Sequence, residues 1–542
     1  MKKIILFFFL FAVRSEAGAV NYYVNAFSGN DANSGTHPQQ AFRSTAALQQ
    51  LTLVAGDSIL FARGQSFSGG IRFSNIRGTL IQPVVIASYC FDADTSRPVL
   101  DAGDALHVLH LENVSYLDII GLELTARKPY QDSVSGGVVL VRCGILVEVT
   151  AEESFESVRL RSLYVHDIFL MEPGFKRSAA EVKTANGTQG YGWGIRFINS
   201  SKSGKLRKLE VLHSEIRRVS HTGLKFTSPR EGITEVTVAY NRIEDCGGPG
   251  LQLSGASMVH VHHNQIQRSG SVADSRNWGR GSGMWTWSCR DVLIEYNRFE
   301  SANGPGDSAG VHIDYNCSDV VVQYNVSRNN AGGFCEILGN NYNCAYRYNI
   351  SINDGHRVKG QRGAFQEGKI FWLSGYQGDK QKPKGPFNSY FYNNTVYVSD
   401  SIVPRIAVSP SAEGVLIANN IFYFAKPAME VAGDQQRKEA IAGTAKNMVF
   451  TNNLFLDGRG WPVEGMVQQD GLTGDPLFIK AGGADIPDYS PREKKLISNR
   501  GKVVQALPGD SVGIRIGLLT EKDIMGRKVG KRPDLGALEV ER

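Results

Sequence analysis

Residues 283–349 contain three similar segments in succession: GMWTWSCRDVLIEYN (283–297), GVHIDYNCSDVVVQYN (310–325) and FCEILGNNYNCAYRYN (334–349). Each begins beside a glycine, alternates along its length and ends in Tyr-Asn. The closing asparagines Asn297, Asn325 and Asn349 are 28 and 24 residues apart, a spacing that indicates a structural repeat. Similar closings occur at Asn241, Asn264, Asn393–Asn394, Asn419–Asn420 and Asn452–Asn453. One coil of chain is therefore repeated at least eight times.

Each coil is too short to bury its own apolar side chains. Most of the coils are 23 to 33 residues long, and they combine β-branched runs such as VTVAY, VLIEY and VVVQY with glycine and asparagine at the corners. Such coils must stack, and stacking pairs each strand with its equivalent about 4.8 Å away in a parallel β-helix. We expect the corner asparagines to adopt left-handed backbone and to hydrogen-bond the next coil.

This ladder of coils resembles the pectate-lyase-like superfamily of right-handed parallel β-helices. The resemblance covers most of the chain after about residue 100. It implies an all-β, right-handed parallel β-helix (a solenoid) with an N-terminal capping helix. The segment STAALQQL is the expected cap, with Ser44 or Thr45 as its N-cap residue.

The chain divides into four predicted regions. Residues 1–19 have the pattern of a secretory signal peptide, 20–75 form a strand and helix cap, 76–455 form the coils with loop insertions, and 456–542 form a last coil and a closing segment. The phrase YVNAFSGNDANSGT (23–36) is similar to the start of secreted β-helix carbohydrate enzymes. We therefore expect a secreted or periplasmic protein without a membrane span.

Charge and cysteine content limit the functional classes. Removal of residues 1–19 reduces the formal net charge from +6 to +4, and no nucleic-acid-binding motif is present, so we expect no nucleic-acid partner. The seven cysteines show no metal-type spacing. Cys289 and Cys317 each precede a corner asparagine by eight residues, which places them on adjacent coils either as a disulfide or as stacked thiols.

One column of outward-facing residues contains the candidate catalytic and sugar-binding side chains. Alternation along the strands directs Ile195, Leu224, Leu251, Met284, Val311 and Cys335 into the core, and their neighbours outward. The outward column then contains Arg196, Lys225, Gln252, Trp285, His312, Glu336 and Phe371, and the next outward position contains Thr227, Ser254, Trp287, Asp314, Leu338 and Leu373. Aromatic rings stack on sugars and carboxylates catalyse glycoside hydrolysis, so the column indicates a polysaccharide or oligosaccharide groove.

Asp314 and Glu336 are the expected catalytic carboxylates. They lie on adjacent coils, offset by two residues, which places their Cβ atoms about 7 Å apart. GVHIDYN and GGFCEIL also resemble the paired segments of β-helix β-xylosidases, which implies Asp314 as nucleophile and Glu336 as acid/base. His312 beside Glu336 either binds substrate or tunes the pKa of the glutamate. Asp307, Glu367 and Lys369 are expected to approach the same column and to contact substrate.

Two other functions remain open from the sequence. A polysaccharide lyase would abstract a proton with a basic residue and neutralise a uronate with calcium or a cation, and Lys225, Arg196, His312, Arg357, Arg362 and Lys369 are available for this. A non-catalytic, carbohydrate-binding β-helix would need no catalytic residues. We predict a glycoside hydrolase without a cofactor, calcium being expected only for the lyase.

Overall fold

Three long parallel sheets form a β-helix in the computed structural model, which describes residues 18–130, 141–172, 190–270, 280–378, 380–433, 444–457, 461, 463 and 465–540. The chain passes through sheets A, B and C once in each coil. Sheet A has twelve strands: Ile71–Ser74, His107–Glu112, Arg142–Val149, Gly192–Asn199, Leu224–Thr227, Leu251–Ser254, Met284–Trp287, Val311–Ile313, Gly333–Ile337, Lys369–Leu373, Arg405–Val408 and Met429–Glu430.

Sheets B and C each have fourteen strands, and every strand pairs in parallel with its equivalents in neighbouring coils. Sheet B consists of Asn21–Val24, Ser58–Ala62, Val84–Tyr89, Leu117–Ile120, Phe155–Arg161, Leu206–Leu212, Ile233–Ala239, Ala256–His262, Arg290–Glu295, Ser318–Gln323, Ala345–Arg347, Phe387–Tyr392, Glu413–Ala418 and Lys446–Thr451. Sheet C consists of Ser66–Ser68, Val99–Asp101, Glu123–Ala126, Tyr164–Ile168, Glu215–Val219, Arg242–Glu244, Gln265–Gln267, Arg298–Glu300, Val326–Arg328, Ile350–Ile352, Thr395–Val398, Ile421–Phe424, Leu454–Phe455 and Leu472–Thr473.

Alternate side chains of the three sheets fill one continuous core. The six residues of sheet A that the sequence directs inward all lie in this core: Ile195, Leu224, Leu251, Met284, Val311 and Cys335. The prediction of inward and outward faces is therefore confirmed over these coils. Because the faces alternate strictly, the residues between them must face away from the core.

The corner asparagines form a hydrogen-bonded ladder between sheets B and C. The backbone N–H of Asn297 donates to the side-chain oxygen of Asn325 at 2.9 Å, and that of Asn325 donates to Asn349 at 2.9 Å. The ladder continues through Asn241, Asn264, Asn394, Asn420 and Asn453, all buried. The predicted link between coils is confirmed.

The left-handed residue at this corner is the one before the ladder asparagine. The expectation of left-handed asparagines is confirmed at the Asn-Asn corners, where Asn393, Asn419 and Asn452 have φ values of 52°, 58° and 55°. It is not met at the Tyr-Asn corners. Tyr296, Tyr324 and Tyr348 have φ values of 54°, 56° and 53°. At these corners the left-handed residue is a tyrosine, whose ring contacts the equivalent ring of the next coil. The rings of Tyr296 and Tyr324 are stacked, and those of Tyr324 and Tyr348 are tilted. The asparagine itself is free to satisfy the backbone groups of two coils.

The segment expected to be the capping helix is a six-residue 3-10 helix, Thr45–Gln50. Ser44 is its N-cap, and the Ser44 hydroxyl accepts the backbone N–H of Ala46 at 3.2 Å. The helix packs against the strand Ile71–Ser74 and buries Leu48. Its role as a cap of the first coil stays a prediction. The other helices are short: Pro38–Gln40 and Ile486–Tyr489 are 3-10 helices, and Lys494–Ile497 is an α-helix.

The C-terminal segment runs back along the outer face of sheet B. Buried side chains of residues 478–538 pack with Tyr348, Tyr390 and Tyr392 in a second apolar cluster. The Tyr324 hydroxyl donates to the carbonyl of Lys522 at 2.8 Å, which fixes the tail to the coils. Within the described residues, no helix is long and apolar enough to cross a membrane.

All seven cysteines are free thiols, so of the two expectations for Cys289 and Cys317 the stacked thiols are observed. The backbone N–H of Cys289 donates to the sulfur of Cys317 at 3.4 Å, and both residues are buried.

Candidate active site

The strand register of sheet A confirms most of the outward column. Arg196 pairs with Lys225, Lys225 with Gln252, Gln252 with Trp285, and Trp285 with His312. The pairing of Ile313 with Ile337 then places Glu336 beside His312. These residues form a straight row across six strands.

The column prediction is wrong at its C-terminal end. Glu336 pairs with Trp372, whereas Phe371 pairs with Cys335 and faces the core with Leu373. Phe371 would lie beside Glu336 if Phe334 paired with Lys369, but Gly333 pairs with Lys369, which shifts the register by one residue. A shift of one residue exchanges the two faces of a strand. Trp372 therefore takes the place expected of Phe371.

The column is buried although it faces away from the core. Its side chains are almost fully covered, with exposures of 6% for Lys225, 5% for Trp285, 2% for His312 and 5% for Glu336. Trp287, in the second outward row, remains 42% exposed. The sequence predicted an open groove, but the column on the outer face of sheet A is covered. The exposed Trp287 lies at its edge.

His312 joins the two expected catalytic carboxylates. Its Nε2 atom is 3.7 Å from Asp314 Oδ2 and its Nδ1 atom is 3.8 Å from Glu336 Oε2. The Ser282 hydroxyl lies 3.2 Å from the same Nδ1 atom and itself accepts the backbone N–H of Ser308. The three residues that the sequence predicts to lie close together are thus in contact, and the imidazole lies between the two carboxylates.

Asp307 enters the same cluster from the corner before the strand Val311–Ile313. Both of its carboxylate oxygens are 3.1 Å from Arg280 Nη1, and its backbone N–H donates to the side chain of Gln366. Asp307 and Ser308 have φ values of 42° and 67°, in the left-handed region that residues other than glycine rarely adopt. Consecutive strained residues of this kind concentrate at functional sites.

The pKa values of the buried groups depend on the charges of their neighbours. Burial raises the pKa of Glu336 to about 7; the nearby His312 opposes this rise, and Asp307 and Asp314 add to it. Burial lowers the pKa of His312, but the charges of Glu336 and Asp314 outweigh it and raise the pKa to about 9. Burial also favours protonated Asp307, yet Arg280 and His312 hold its pKa below the usual range. At neutral pH the cluster therefore holds an imidazolium, an ionised Asp307 and a glutamate near its midpoint.

The remaining predicted site residues lie at different distances from this centre. Lys369 is buried, its ammonium is 4.2 Å from the Trp372 ring, and its charge acts on Glu336. Glu367 is paired at 2.7 Å with Arg405, which begins the sheet A strand next to Lys369–Leu373. Lys225 and Arg196 lie further along the column, beyond Gln252 and Trp285.

The sequence did not predict four residues of the candidate site: Arg280, Ser282, Gln366 and Trp372. The first two lie at the end of the insertion 269–282 and Gln366 ends another loop, so no strand alternation predicts their direction. The loop insertions 171–192, 269–282 and 426–446 lie partly outside the described residues. Among described residues, no group of three or more His, Cys, Asp or Glu side chains has the arrangement of a metal site.

Comparison with known proteins identifies the fold. The family model described as "Right handed beta helix region" matches residues 191–377, which contain the whole carboxylate cluster. The chain is a right-handed parallel β-helix. The parallel β-helix predicted from the sequence is thereby confirmed.

The chain is similar to two lacto-N-biosidases. Lacto-N-biosidase of Bifidobacterium longum subsp. longum is 24% identical over 638 residues, covering 96% of this chain and 36% of the relative. The chain thus spans about a third of that curated protein. The crystal structure of a GH136 lacto-N-biosidase from Eubacterium ramulus aligns with a TM-score of 0.52 at 18% identity, over 79% of this chain and 68% of that chain. Its selenomethionine form gives 0.51 at 17% identity, over 84% and 68%.

Proposed function

We propose that this protein is a glycoside hydrolase that cleaves an oligosaccharide on the outer face of sheet A, with Asp314 and Glu336 as its catalytic carboxylates. The contact of both carboxylates with the buried imidazole of His312 carries the proposal. Hydrolysis of a glycosidic bond needs one carboxylic acid and one carboxylate at the same bond. Similarity to lacto-N-biosidases supports a hydrolytic reaction.

Glu336 is the proposed general acid. With a pKa of about 7 it retains a proton at neutral pH, which it can donate to the departing glycosidic oxygen. Asp314 is the proposed nucleophile, as its resemblance to the aspartate of β-helix β-xylosidases implies. The Asp314 side chain is 14% exposed and therefore reaches the open side of the cluster. The imidazolium of His312 holds the two carboxylates in place and supplies a positive charge between them.

Two indole groups flank the reacting position. Trp285 and Trp372 occupy the column on either side of His312 and Glu336, and the Nε1 atoms of both are buried without a hydrogen-bond partner within the described residues. A buried donor without an acceptor is costly, and a sugar hydroxyl can satisfy it. We assign these indoles, with the exposed Trp287, to sugar binding next to the cleaved bond.

The test is product analysis by mass spectrometry with neutral and acidic glycans and with substrates of lacto-N-biosidase. Wild-type protein is expected to give products that gain one water. Asp314→Asn and Glu336→Gln should each lower kcat/KM at least about 100-fold, because each removes a group used in proton transfer or bond formation. Glu413→Gln, an exposed carboxylate of sheet B, is the matched control and should keep full activity.

Other products would change the assignment. Unsaturated products that persist in both variants would contradict the hydrolase and point to the lyase, for which calcium dependence is then expected. Loss of turnover in Asp307→Asn together with retained turnover in Glu336→Gln would transfer the acid role to Asp307. Export of the mature chain stays a separate proposal, which fractionation of the producing cells tests.

A further inference from the structure

Lys225 is a buried cation on the same column as the catalytic cluster. It lies three strands from His312, through Gln252 and Trp285, a distance of about 14 Å at the spacing of parallel strands. Its side chain is 6% exposed, and it forms no hydrogen bond or ion pair with any described residue. Its ammonium is 5.0 Å from the centre of the Trp193 ring.

A second cation, Arg196, lies beside Lys225. Arg196, on the preceding strand, places its guanidinium carbon 4.4 Å from the same Trp193 ring. Burial, together with the charge of Arg196, lowers the pKa of Lys225 to about 7. Burying an ammonium without a counter-ion is unfavourable. A bound anion would therefore lower the free energy of the buried charge at this position.

A second donor lies beside the lysine. Thr227 is two residues further along the same strand and therefore faces the same side of sheet A. Its hydroxyl oxygen is buried and has no hydrogen-bond partner among the described residues. An ammonium and a hydroxyl on one face, both without acceptors, match the oxygens of an acidic group.

We propose that Lys225 and Thr227 bind an anionic group of the substrate, a carboxylate or a sulfate ester, at a subsite three strands from the cleaved bond. The proposal rests on the proposed function, since it assumes that the glycan lies along the column from His312 towards Arg196. It defines the substrate class as an acidic oligosaccharide whose charged residue is separated from the reacting bond by about the length of three strand spacings. A neutral hydroxyl would satisfy the hydrogen bonds but leave the charge of Lys225 uncompensated.

Binding measured by isothermal titration calorimetry with the full-length Glu336→Gln protein tests the subsite without turnover. The probes are matched pairs: lactose with 3′-sialyllactose, lactose with 6′-sulfated lactose, and xylotetraose with its glucuronic-acid-branched form. At least one acidic member is expected to bind about tenfold more tightly than its neutral partner. Tighter binding of the sialylated or glucuronylated glycan would show that the subsite accepts a carboxylate. Tighter binding of the sulfated glycan would show that it accepts a sulfate.

Substitutions then assign the preference to the residues. Lys225→Met should abolish the preference for the acidic member and leave the neutral affinity within about twofold, whereas Lys225→Arg should keep it. Thr227→Val should reduce the preference. Lys205→Met, at an exposed position near the start of a sheet B strand, is the matched control and should change nothing. Equal binding of all acidic and neutral partners, or an equal loss of both in Lys225→Met, would overturn the subsite.

Measurements of turnover distinguish a failure of the anionic subsite from a failure of the proposed hydrolase activity. Cleavage of a neutral glycan by both the wild-type protein and Lys225→Met, without any acidic preference in binding, overturns the subsite alone. An acidic preference that depends on Lys225, with no cleavage of any glycan, supports the subsite and overturns the hydrolase alone.

Discussion

His312 shows how a single residue sets the chemistry of its neighbours. It is 2% exposed and contacts one carboxylate on its own coil and one on the next. Its positive charge opposes the rise in the pKa of Glu336 that burial causes. The imidazolium therefore prevents Glu336 from becoming a permanently protonated acid, so that the group can exchange a proton near neutral pH.

The pH profile of activity follows from these shifts. Because the proposed mechanism requires a protonated Glu336, kcat is expected to fall as pH rises through about 7. His312→Gln removes the opposing charge, so the basic limb should move to higher pH while the maximum rate falls. Profiles of both proteins between pH 5 and about pH 9 provide the measurement.

His110→Gln is the control for this profile. His110 lies on the same face of sheet A, where its imidazole faces Glu148 at 3.3 Å, far from the cluster. Its profile should coincide with that of the wild-type protein. An unchanged basic limb in His312→Gln would show that Glu336 is not the titrating acid.

At the scale of elements, the asparagine ladder is the main polar link between coils. Asn325 accepts the backbone and side-chain N–H groups of Asn297 and donates to the carbonyls of Ile294 and Gln323. Four groups thus depend on one side chain in a buried corner. The ladder satisfies backbone groups that the turn would otherwise leave without partners.

Asn325→Ala is expected to lower the free energy of unfolding by at least about 3 kcal/mol, because several buried groups lose their partners at once. Urea denaturation followed by circular dichroism measures the change. Gln265→Ala, at an exposed position immediately after the ladder residue Asn264, should cost less than about 0.5 kcal/mol. Equal effects of the two substitutions would contradict a structural role for the ladder.

At the scale of the whole molecule, the C-terminal segment is firmly attached to the outer face of the β-helix. Arg347 donates to the carbonyl of Gly517 at 2.6 Å, and Asn393 donates to that of Asp534 at 2.8 Å. These bonds tie the tail to coils that lie more than a hundred residues earlier. The tail shields a row of tyrosines on sheet B that would otherwise be exposed.

Leu535→Ala tests this contribution. Leu535 is 0% exposed in the apolar cluster beneath the tail, so the substitution should cost about 2–5 kcal/mol of unfolding free energy. Leu519→Ala, with the same chemistry in the same segment but 68% exposed, should cost less than about 0.5 kcal/mol. A small effect of Leu535→Ala would show that the tail is only loosely attached.

The sequence was most informative where local rules repeat. Its period of coils, its alternation of faces and its corner asparagines predicted the parallel β-helix, the core residues and the ladder. Alternation also placed His312 beside Glu336 and Asp314 close to both. It failed at Phe371, where the register begins at Gly333 and a shift of one residue exchanged the two faces of the strand.

The sequence by itself determined the stacking of coils and which face of each strand carries polar residues, because both depend on residue spacing within a coil. Only the tertiary structure decided which loop residues reach that face and how deeply the column is buried. Arg280 and Ser282 arrive from an insertion whose course no periodicity describes. The burial of Glu336 and its partners, and hence the pKa values on which the proposed chemistry depends, arises from the packing of several coils at once.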